Sequence, residues 1–307
     1  MQSGQPVEAI LQSIAKAERH MRSEYGTKMV GVMDTIGAHP HFAMPQRPGE
    51  VTVISGRDAV DTMYQGSVEL AAPQGSRLLS QLATDWYMFV DNVPTRLWIE
   101  GGQLVTVQTV AMFVTDDTNG LTGEYAWQRQ YPSETGAADG AGVPLPEREL
   151  RNLEAHQALL DAQCAGDAEA LAALLDPGCI WAQRDYLSDA AGGALTNLRG
   201  ADAVGGHVAQ WHKAIQPEHV SIINRRVTDW YVFSEELWVA RSHGGERRQY
   251  RTATVLPINR AGKFEALLGF GRDFEALSPS AGKPVGISFY PPGVSADPEC
   301  REGYPGY

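Results

Sequence analysis

The sequence predicts an α+β chain built from two tandem copies of one domain. Two observations carry this: motifs that recur at a constant offset, and an order of elements, helices first and strands after, that repeats in each half. Gly56-Arg57-Asp58-Ala59-Val60 recurs as Gly200-Ala201-Asp202-Ala203-Val204, and Thr84-Asp85-Trp86-Tyr87-Met88-Phe89 recurs as Thr228-Asp229-Trp230-Tyr231-Val232-Phe233. Both pairs are offset by 144 residues, and two matches at one spacing, one holding a Trp-Tyr pair, are hard to obtain by chance. Weaker echoes drift by a few residues, as loop insertions produce: Val7-Glu8-Ala9 with Leu153-Glu154-Ala155, and Leu97-Trp98-Ile99 with Leu237-Trp238-Val239.

Each copy opens on an amphipathic helix, with Val7, Ile10, Leu11 and Ile14 at helical spacing in the first and Leu153, His156, Leu159 and Leu160 in the second. In the second copy Asp167 is placed to cap a further helix, Ala168 to Leu175, which Pro177-Gly178 stops. A short strand follows, His39 to Met44 in one copy and Cys179 to Tyr186 in the other. A helix then opens at the Gly-x-Asp-Ala-Val motif, where Asp58 or Asp202 sits in the favoured first turn. The rest of each copy is strand-like, β-branched and aromatic runs broken by Gly and Asn. These runs are Leu78–Ala83, Tyr87–Val90, Gln103–Val114 and Gly123–Tyr131, then Val220–Asn224, Tyr231–Arg241, Gln249–Ile258 and Phe264–Phe274. Helices before a run of strands imply a curved antiparallel sheet packed on helices.

The chain has 307 residues, 43% of them hydrophobic, so each copy can bury a core. Asp and Glu outnumber Lys and Arg by 37 to 25, a net charge of −12. Nucleic acid and anionic membrane both need a cationic face, so neither is expected as a partner. Three cysteines, Cys164, Cys179 and Cys300, make no disulfide framework, and no Cys-x-x-Cys pair suggests zinc. The first residues lack the unbroken apolar core of a secretion signal, and nowhere do roughly 18 apolar residues run together. The expected compartment is the cytoplasm, with buried free thiols.

The expected domains are residues 1–132 and 151–277, joined by a linker at 133–150 whose stretch Ser133 to Pro146 is rich in Gly, Ala and Pro. Residues 278–307 form a Pro-, Gly- and Tyr-rich C-terminal segment, either an arm docked through its aromatics or a loose tail.

This order of elements resembles the SnoaL-like, or nuclear transport factor two-like, superfamily. The second copy carries the resemblance best. Leu153-Glu154-Ala155-His156 opens its first helix, and Leu174-Leu175-Asp176-Pro177-Gly178 runs into its first strand. Gly200-Ala201-Asp202-Ala203-Val204 starts its third helix, and Ala261-Gly262-Lys263-Phe264 forms the last hairpin. The first copy matches through Gly56-Arg57-Asp58-Ala59-Val60 and its strand run. The resemblance implies two cone-shaped α+β-barrel domains, each with a mostly apolar pocket open at one end. It also implies pairing through sheet faces, hence an intramolecular pseudo-dimer of the two copies or a homo-oligomer. Members include isomerases, dehydratases, cyclases, an epoxide hydrolase and non-catalytic binding modules, so function has to come from the pocket.

In the first copy His39 and His41 lie two apart on a strand and so point to one side. They form either a proton-transfer pair suited to neutral pH or an exposed strand entry beside a turn. No third ligand accompanies them, and no metal is expected. The resemblance to scytalone dehydratase-like lyases implies cavity-facing Tyr and Asp groups just before this strand, where the chain has Tyr25 and Asp34. With a histidine base they would supply a carbonyl-polarising donor and an orienting carboxylate; otherwise Tyr25 packs in the core and Asp34 caps a helix. Tyr64 and Asp61 share a helix face and either line the cavity mouth or, for Asp61, meet solvent. Met29, Met33, Met44, Met63, Phe42 and Trp127 make either an adaptable, aromatic-accepting cavity wall or ordinary core.

In the second copy the polyketide-cyclase members imply an aspartate in the last strand, close to Asp273. His207 and Trp211 share a helix face as pocket wall or core, and Asp185 ends the first strand. The paired carboxylates of ketosteroid isomerase are not in register in either copy, and no phosphate loop, nucleophile elbow or HExxH motif occurs. The expected function is therefore a cofactor-independent lyase or isomerase. It would act by acid–base proton abstraction on a hydrophobic aromatic or polycyclic small molecule, in the first copy, with the second copy structural or regulatory. The alternative is a non-catalytic small-molecule-binding or protein-docking module. A third reading makes the second copy catalytic through Asp273 and His207.

Overall fold

The computed structural model describes residues 7–25, 31–47, 50–115, 120–130, 145–185, 194–241 and 245–273. They fall in two compact units, 7–130 and 145–273. In the first, α1 (Val7–Tyr25) and a short 3-10 helix (Val32–Thr35) precede the hairpin of β1 (Ile36–Arg47) and β2 (Glu50–Ser55). Then come α2 (Arg57–Leu70), β3 (Ala71–Ala83), β4 (Tyr87–Trp98), β5 (Leu104–Thr115) and β6 (Leu121–Gln130). The second unit runs α3 (Leu145–Ala165), α4 (Ala168–Leu174), β7 (Leu175–Asp185), β8 (Ala194–Arg199) and α5 (Ala201–Ile215). It closes with β9 (His219–Val227), β10 (Tyr231–Arg241), β11 (Arg247–Pro257) and β12 (Phe264–Asp273).

Each unit holds one six-stranded sheet, ordered β2-β1-β6-β5-β4-β3 and β8-β7-β12-β11-β10-β9. The sheets are mixed rather than purely antiparallel: β1 runs parallel to β6, and β7 to β12. The chain between those partners supplies the long crossover that a parallel pair requires. Strands β2 and β8, absent from the sequence reading, are short edges that pair back on β1 and β7.

Helix α1 lies across β3 to β6 and buries Ile10, Ser13, Ile14, Ala17, His20, Met21 and Tyr25 at helical spacing. Val7 and Leu11, expected on its apolar stripe, are instead more than half exposed at 61% and 51%. The cap on α4 is as expected, with Asp167 Oδ1 accepting from the Ala170 amide at 2.9 Å. Helix α3 begins at Leu145, inside the expected 133–150 linker, because Pro146 suits a first helical turn and Glu147 sits favourably at the positive end of the dipole. The rest of that linker, Met29, Cys300 and the 278–307 segment lie outside the described residues.

The repeated motifs are repeated structures. Gly56 and Gly200 take φ values of 89° and 100°, a region closed to side-chain-bearing residues, just before α2 and α5. Their amides donate to the first strand, Gly56 to Pro40 O at 2.9 Å and Gly200 to Cys179 O at 2.8 Å, and Val60 and Val204 are wholly buried one turn on. The second motif is a tight turn in which Thr84 and Thr228 amides donate to Tyr87 and Tyr231 carbonyls, both at 2.9 Å. In each copy the Trp and Tyr rings stand edge to face at 5.0 Å. Among the described residues no helix is long and apolar enough to cross a membrane.

Candidate active site

The first unit encloses a cavity of about 410 Å³ between α1, α2 and the inner faces of β4, β5 and β6. Met21, Met44, Met63 and Phe113 make much of its apolar wall. Its polar tip is lined by Glu24, Tyr64 and Glu124, with fully buried His20 behind them completing the cluster. Helix spacing brings His20 and Glu24 together at i, i+4 on α1, Tyr64 comes from the buried face of α2, and Glu124 comes from β6.

Hydrogen-bond directions in the cluster are determined by counting hydrogens. Thr35 Oγ1 donates to Val32 O at 2.5 Å, so toward His20 Nδ1, 2.6 Å away, it accepts, and Nδ1 carries a proton. Tyr64 OH donates to Glu24 Oε1 at 2.8 Å, so it accepts from His20 Nε2 at 3.0 Å. His20 therefore holds both protons and is an imidazolium, 3.5 Å from Glu24 Oε1 and 3.4 Å from Glu124 Oε2. Burial by itself would lower its pKa. The Glu24 charge and the hydrogen bonds to Glu124 and Glu24 outweigh burial and raise it to about 9. Burial and the Glu24 charge push Glu124 up to about 7 against the pull of His20. Glu24 is also driven upward by burial, but His20 and the Tyr64 hydrogen bond bring it below the usual carboxylate range. Burial, then both carboxylates, hold Tyr64 well above the ordinary phenol range, so it stays a neutral donor. The result is an ionised Glu24–His20 pair beside a carboxyl poised near neutrality.

The ligand atoms of His20, Glu24 and Glu124 also lie within 4.8 Å of one another, close enough to share a cation. The Tyr64 hydroxyl sits among them, within 3.4 Å of each, and ties them into a hydrogen-bonded proton network.

The sequence-stated candidates separate. Tyr25 and Tyr64 line the cavity, and Tyr25 OH accepts from Asn92 Nδ2 at 3.3 Å. Met44 and Met63 also line it, while Phe42 stands behind, edge-on to His20 and Tyr64 at 6.4 Å from each. Trp127 is buried but points away from the cavity, since Glu124, Ala126 and Gln128 take the inward phase of β6. His39 is exposed, and half-buried His41 places Nδ1 3.2 Å from Ser55 Oγ on β2; neither is a lining residue. Phe42 and Met44 hold the other phase of β1, which is why the two histidines fall outside. Asp34 is exposed in the 3-10 helix, its carbonyl accepting from Arg19 at 2.8 Å, and Asp61 accepts from Gln65 at 2.9 Å on the α2 surface.

The second unit is the internal control. Tyr64 lies eight residues after Gly56, and Val208 eight after Gly200. Phe42 faces Glu124 across β1 and β6, where Trp181 faces Leu267 across β7 and β12. Val208 and Leu267 pack with Leu159, Leu171 and Leu256 in one apolar cluster. The Tyr64 and Glu124 positions are thus apolar, the second cavity shrinks to about 40 Å³, and a different buried pair lines it, His156 with Nε2 3.5 Å from Glu236 Oε1. His207 and Trp211 line it, His207 edge-on to Trp181 at 5.5 Å and Trp211 to Trp238 at 5.4 Å. The Asp185 and Asp273 side chains lie outside the described residues.

Helices over a six-stranded sheet, with the first hairpin laid parallel to the last strand, occur in both units at the same order of elements. Each unit has the nuclear transport factor two-like fold. No protein-family model matches the sequence, and none of the curated proteins matches it. Solved structures resemble it over about one unit. An epoxide hydrolase of the limonene type from Mycobacterium tuberculosis is 15% identical, over 42% of this chain and 90% of that one, with a TM-score of 0.35. A Catenulispora acidiphila protein with a ketosteroid isomerase-like fold, in complex with trimethylamine, is 19% identical over 41% and 95%, with a TM-score of 0.33. A Mycobacterium tuberculosis protein in complex with estradiol-17β-hemisuccinate is 17% identical over 39% and 92%, with a TM-score of 0.32. The likeness is one of fold, and strand order within this chain carries that assignment.

Proposed function

We propose that the first unit is an acid–base catalyst of the isomerase or lyase type, acting on a hydrophobic aromatic or polycyclic small molecule. The observation that carries this reading is the His20–Glu24–Tyr64–Glu124 cluster at the end of a largely apolar cavity of about 410 Å³, where the second unit has Val208 and Leu267 at the Tyr64 and Glu124 positions and a cavity of about 40 Å³. Glu124 takes a proton from a carbon next to a carbonyl. The electron pair moves onto the carbonyl oxygen, which accepts a hydrogen bond from the cavity-lining phenol of Tyr25. Returning the proton to another carbon completes an isomerisation; giving it instead to a β-hydroxyl, which leaves as water as the C–O bond breaks, completes a dehydration. Both balance with protons alone. Burial and the ionised Glu24 hold the Glu124 carboxyl near neutral pKa against the pull of His20, where it serves as base and then as acid.

The test follows hydrogen–deuterium exchange beside the carbonyl of β-tetralone in heavy water. Glu124→Gln should slow enzyme-dependent exchange by about 100-fold or more, without loss of fold by circular dichroism. His39→Ala and His41→Ala should leave it unchanged. Full exchange in Glu124→Gln would refute the assignment. Loss of exchange on chelator treatment, restored by a divalent metal, would instead make the cluster a ligand set.

A further inference from the structure

The cavity has a second polar feature at its other end. β4 directs Asn92, Arg96 and Trp98 toward the cavity at alternate positions of the strand. Arg96 is exposed at the rim, and its guanidinium makes no hydrogen bond or ion pair among the described residues. Among the described lining residues it is the sole Lys or Arg. Its charge reaches Glu24 and Tyr25, so it stands over the cavity rather than out in solvent. Around it the rim is apolar: Leu70 is 57% exposed and Trp98 37% exposed, both lining the opening. Between rim and tip, buried Asn92 spends both amide hydrogens, on Tyr25 OH at 3.3 Å and Ser76 Oγ at 2.9 Å, while its Oδ1 has no partner. A buried acceptor left open at a cavity wall is satisfied when a ligand donates to it.

Resting on the catalytic reading above, we infer that the substrate is an apolar molecule bearing one carboxylate. It enters reactive end first, with its carboxylate left at the rim on Arg96. The chemistry forces this orientation. A carboxylate at the tip would meet ionised Glu24 in a buried setting, whereas at the rim it meets a fork of donors that no described residue engages. Arg96 lies four residues beyond Asn92, about 13 Å of strand, so a ligand held between them carries its acid group roughly a bicyclic body away from the Asn92 acceptor. The chain as a whole is acidic, net −12, and does not gather anions from a distance, so recognition of the carboxylate falls to this local cation. In the second unit the position matching Asn92, five residues after the Trp-Tyr motif's tyrosine, is Glu236, whose carboxylate accepts from Thr252 at 2.7 Å. That cavity holds a carboxylate paired with His156 at 3.5 Å where the first offers an open acceptor.

The test uses two fluorescent probes that differ only in the terminal group, pyrenebutyrate and pyrenebutanol, titrated against the full chain by anisotropy. Arg96→Met should weaken pyrenebutyrate by about tenfold and leave pyrenebutanol within about twofold. Arg96→Lys should recover part of the loss, and raised salt should act on the acid alone. Ala111→Phe, which fills the cavity, should remove both probes and so locate them. Equal effects of Arg96→Met on both probes, or none, would overturn carboxylate anchoring while leaving the catalytic cavity standing. Failure of both probes to bind, or binding that survives Ala111→Phe, would remove the cavity reading and this inference together.

Discussion

Glu124 stands near the midpoint of its titration at neutral pH, and its neighbours determine what either protonation state does. As the base it must be ionised, so exchange should rise through pH about 7. It should fall again through pH about 9, where His20 loses the proton that balances Glu24. Stability moves the other way. His20 binds its proton more tightly folded than unfolded, so its contribution is full below about 6.5 and disappears as pH rises through about 9. Glu124, raised from 4.5 to about 7, likewise favours the folded state when protonated and loses that advantage across this window. Glu24, with a lowered pKa, contributes above its ordinary 4.5 and loses that contribution as pH falls through its folded value. The melting temperature should therefore be highest on the acid side of neutrality and decline steadily to pH about 9, and Glu124→Gln should flatten the part between 4.5 and 7. A profile rising toward pH 9 would contradict this charge assignment. Little of the cluster was legible in the sequence. His20 and Glu24 at i, i+4 read equally well as a solvated pair, and Glu124 is one of several polar residues in its strand, with Thr122, Gln128 and Arg129. His39 and His41 were conspicuous by spacing, yet strand phase turns them away from the cavity.

At the scale of elements the sequence was more open. Gly56 and Gly200 recur because the helix behind each must start from a backbone shape near φ 90–100° that only glycine tolerates. Nothing lies within 4 Å of a Cβ added at Gly56, and the nearest atom to one at Gly200 is 3.7 Å away, so strain alone would penalise a side chain. Gly200→Ala should cost about 1–3 kcal/mol in urea unfolding, and Asp167→Ala, which removes the α4 cap, about 1 kcal/mol. A Gly200→Ala midpoint equal to wild type would show that the chain relaxes there. Ten of the twelve strands coincide with alternating or β-branched runs in the sequence. The two six-residue edges β2 and β8 were missed because each is short and pairs on one side alone, whereas the longer edges β3 and β9 were read.

Over the whole molecule the two copies keep one fold and diverge inside it. Their cavities measure about 410 and 40 Å³, and the difference lies in the same sheet positions. Ala111 pairs with Val90 across β4 and β5, and Thr254 with Ser234 at the matching place in the second unit. Ala111→Phe should abolish exchange by filling the first cavity. Thr254→Phe should overpack the second, costing about 1–3 kcal/mol, while exchange continues. Loss of exchange in both variants with folding intact would assign the second cavity a share in the activity.

What the sequence by itself determined is the duplication, the α+β class and the order of elements. All three are written in local chemistry: glycines at strained turns, caps, and the phase of apolar residues. What only the tertiary structure decided is which polar groups share a site. His20, Tyr64 and Glu124 come from α1, α2 and β6, up to 104 residues apart, and become an acid–base cluster only because the curved sheet buries all three against one wall. Burial then gives them protonation states that spacing along the chain cannot encode, since desolvation and partner charges act through space.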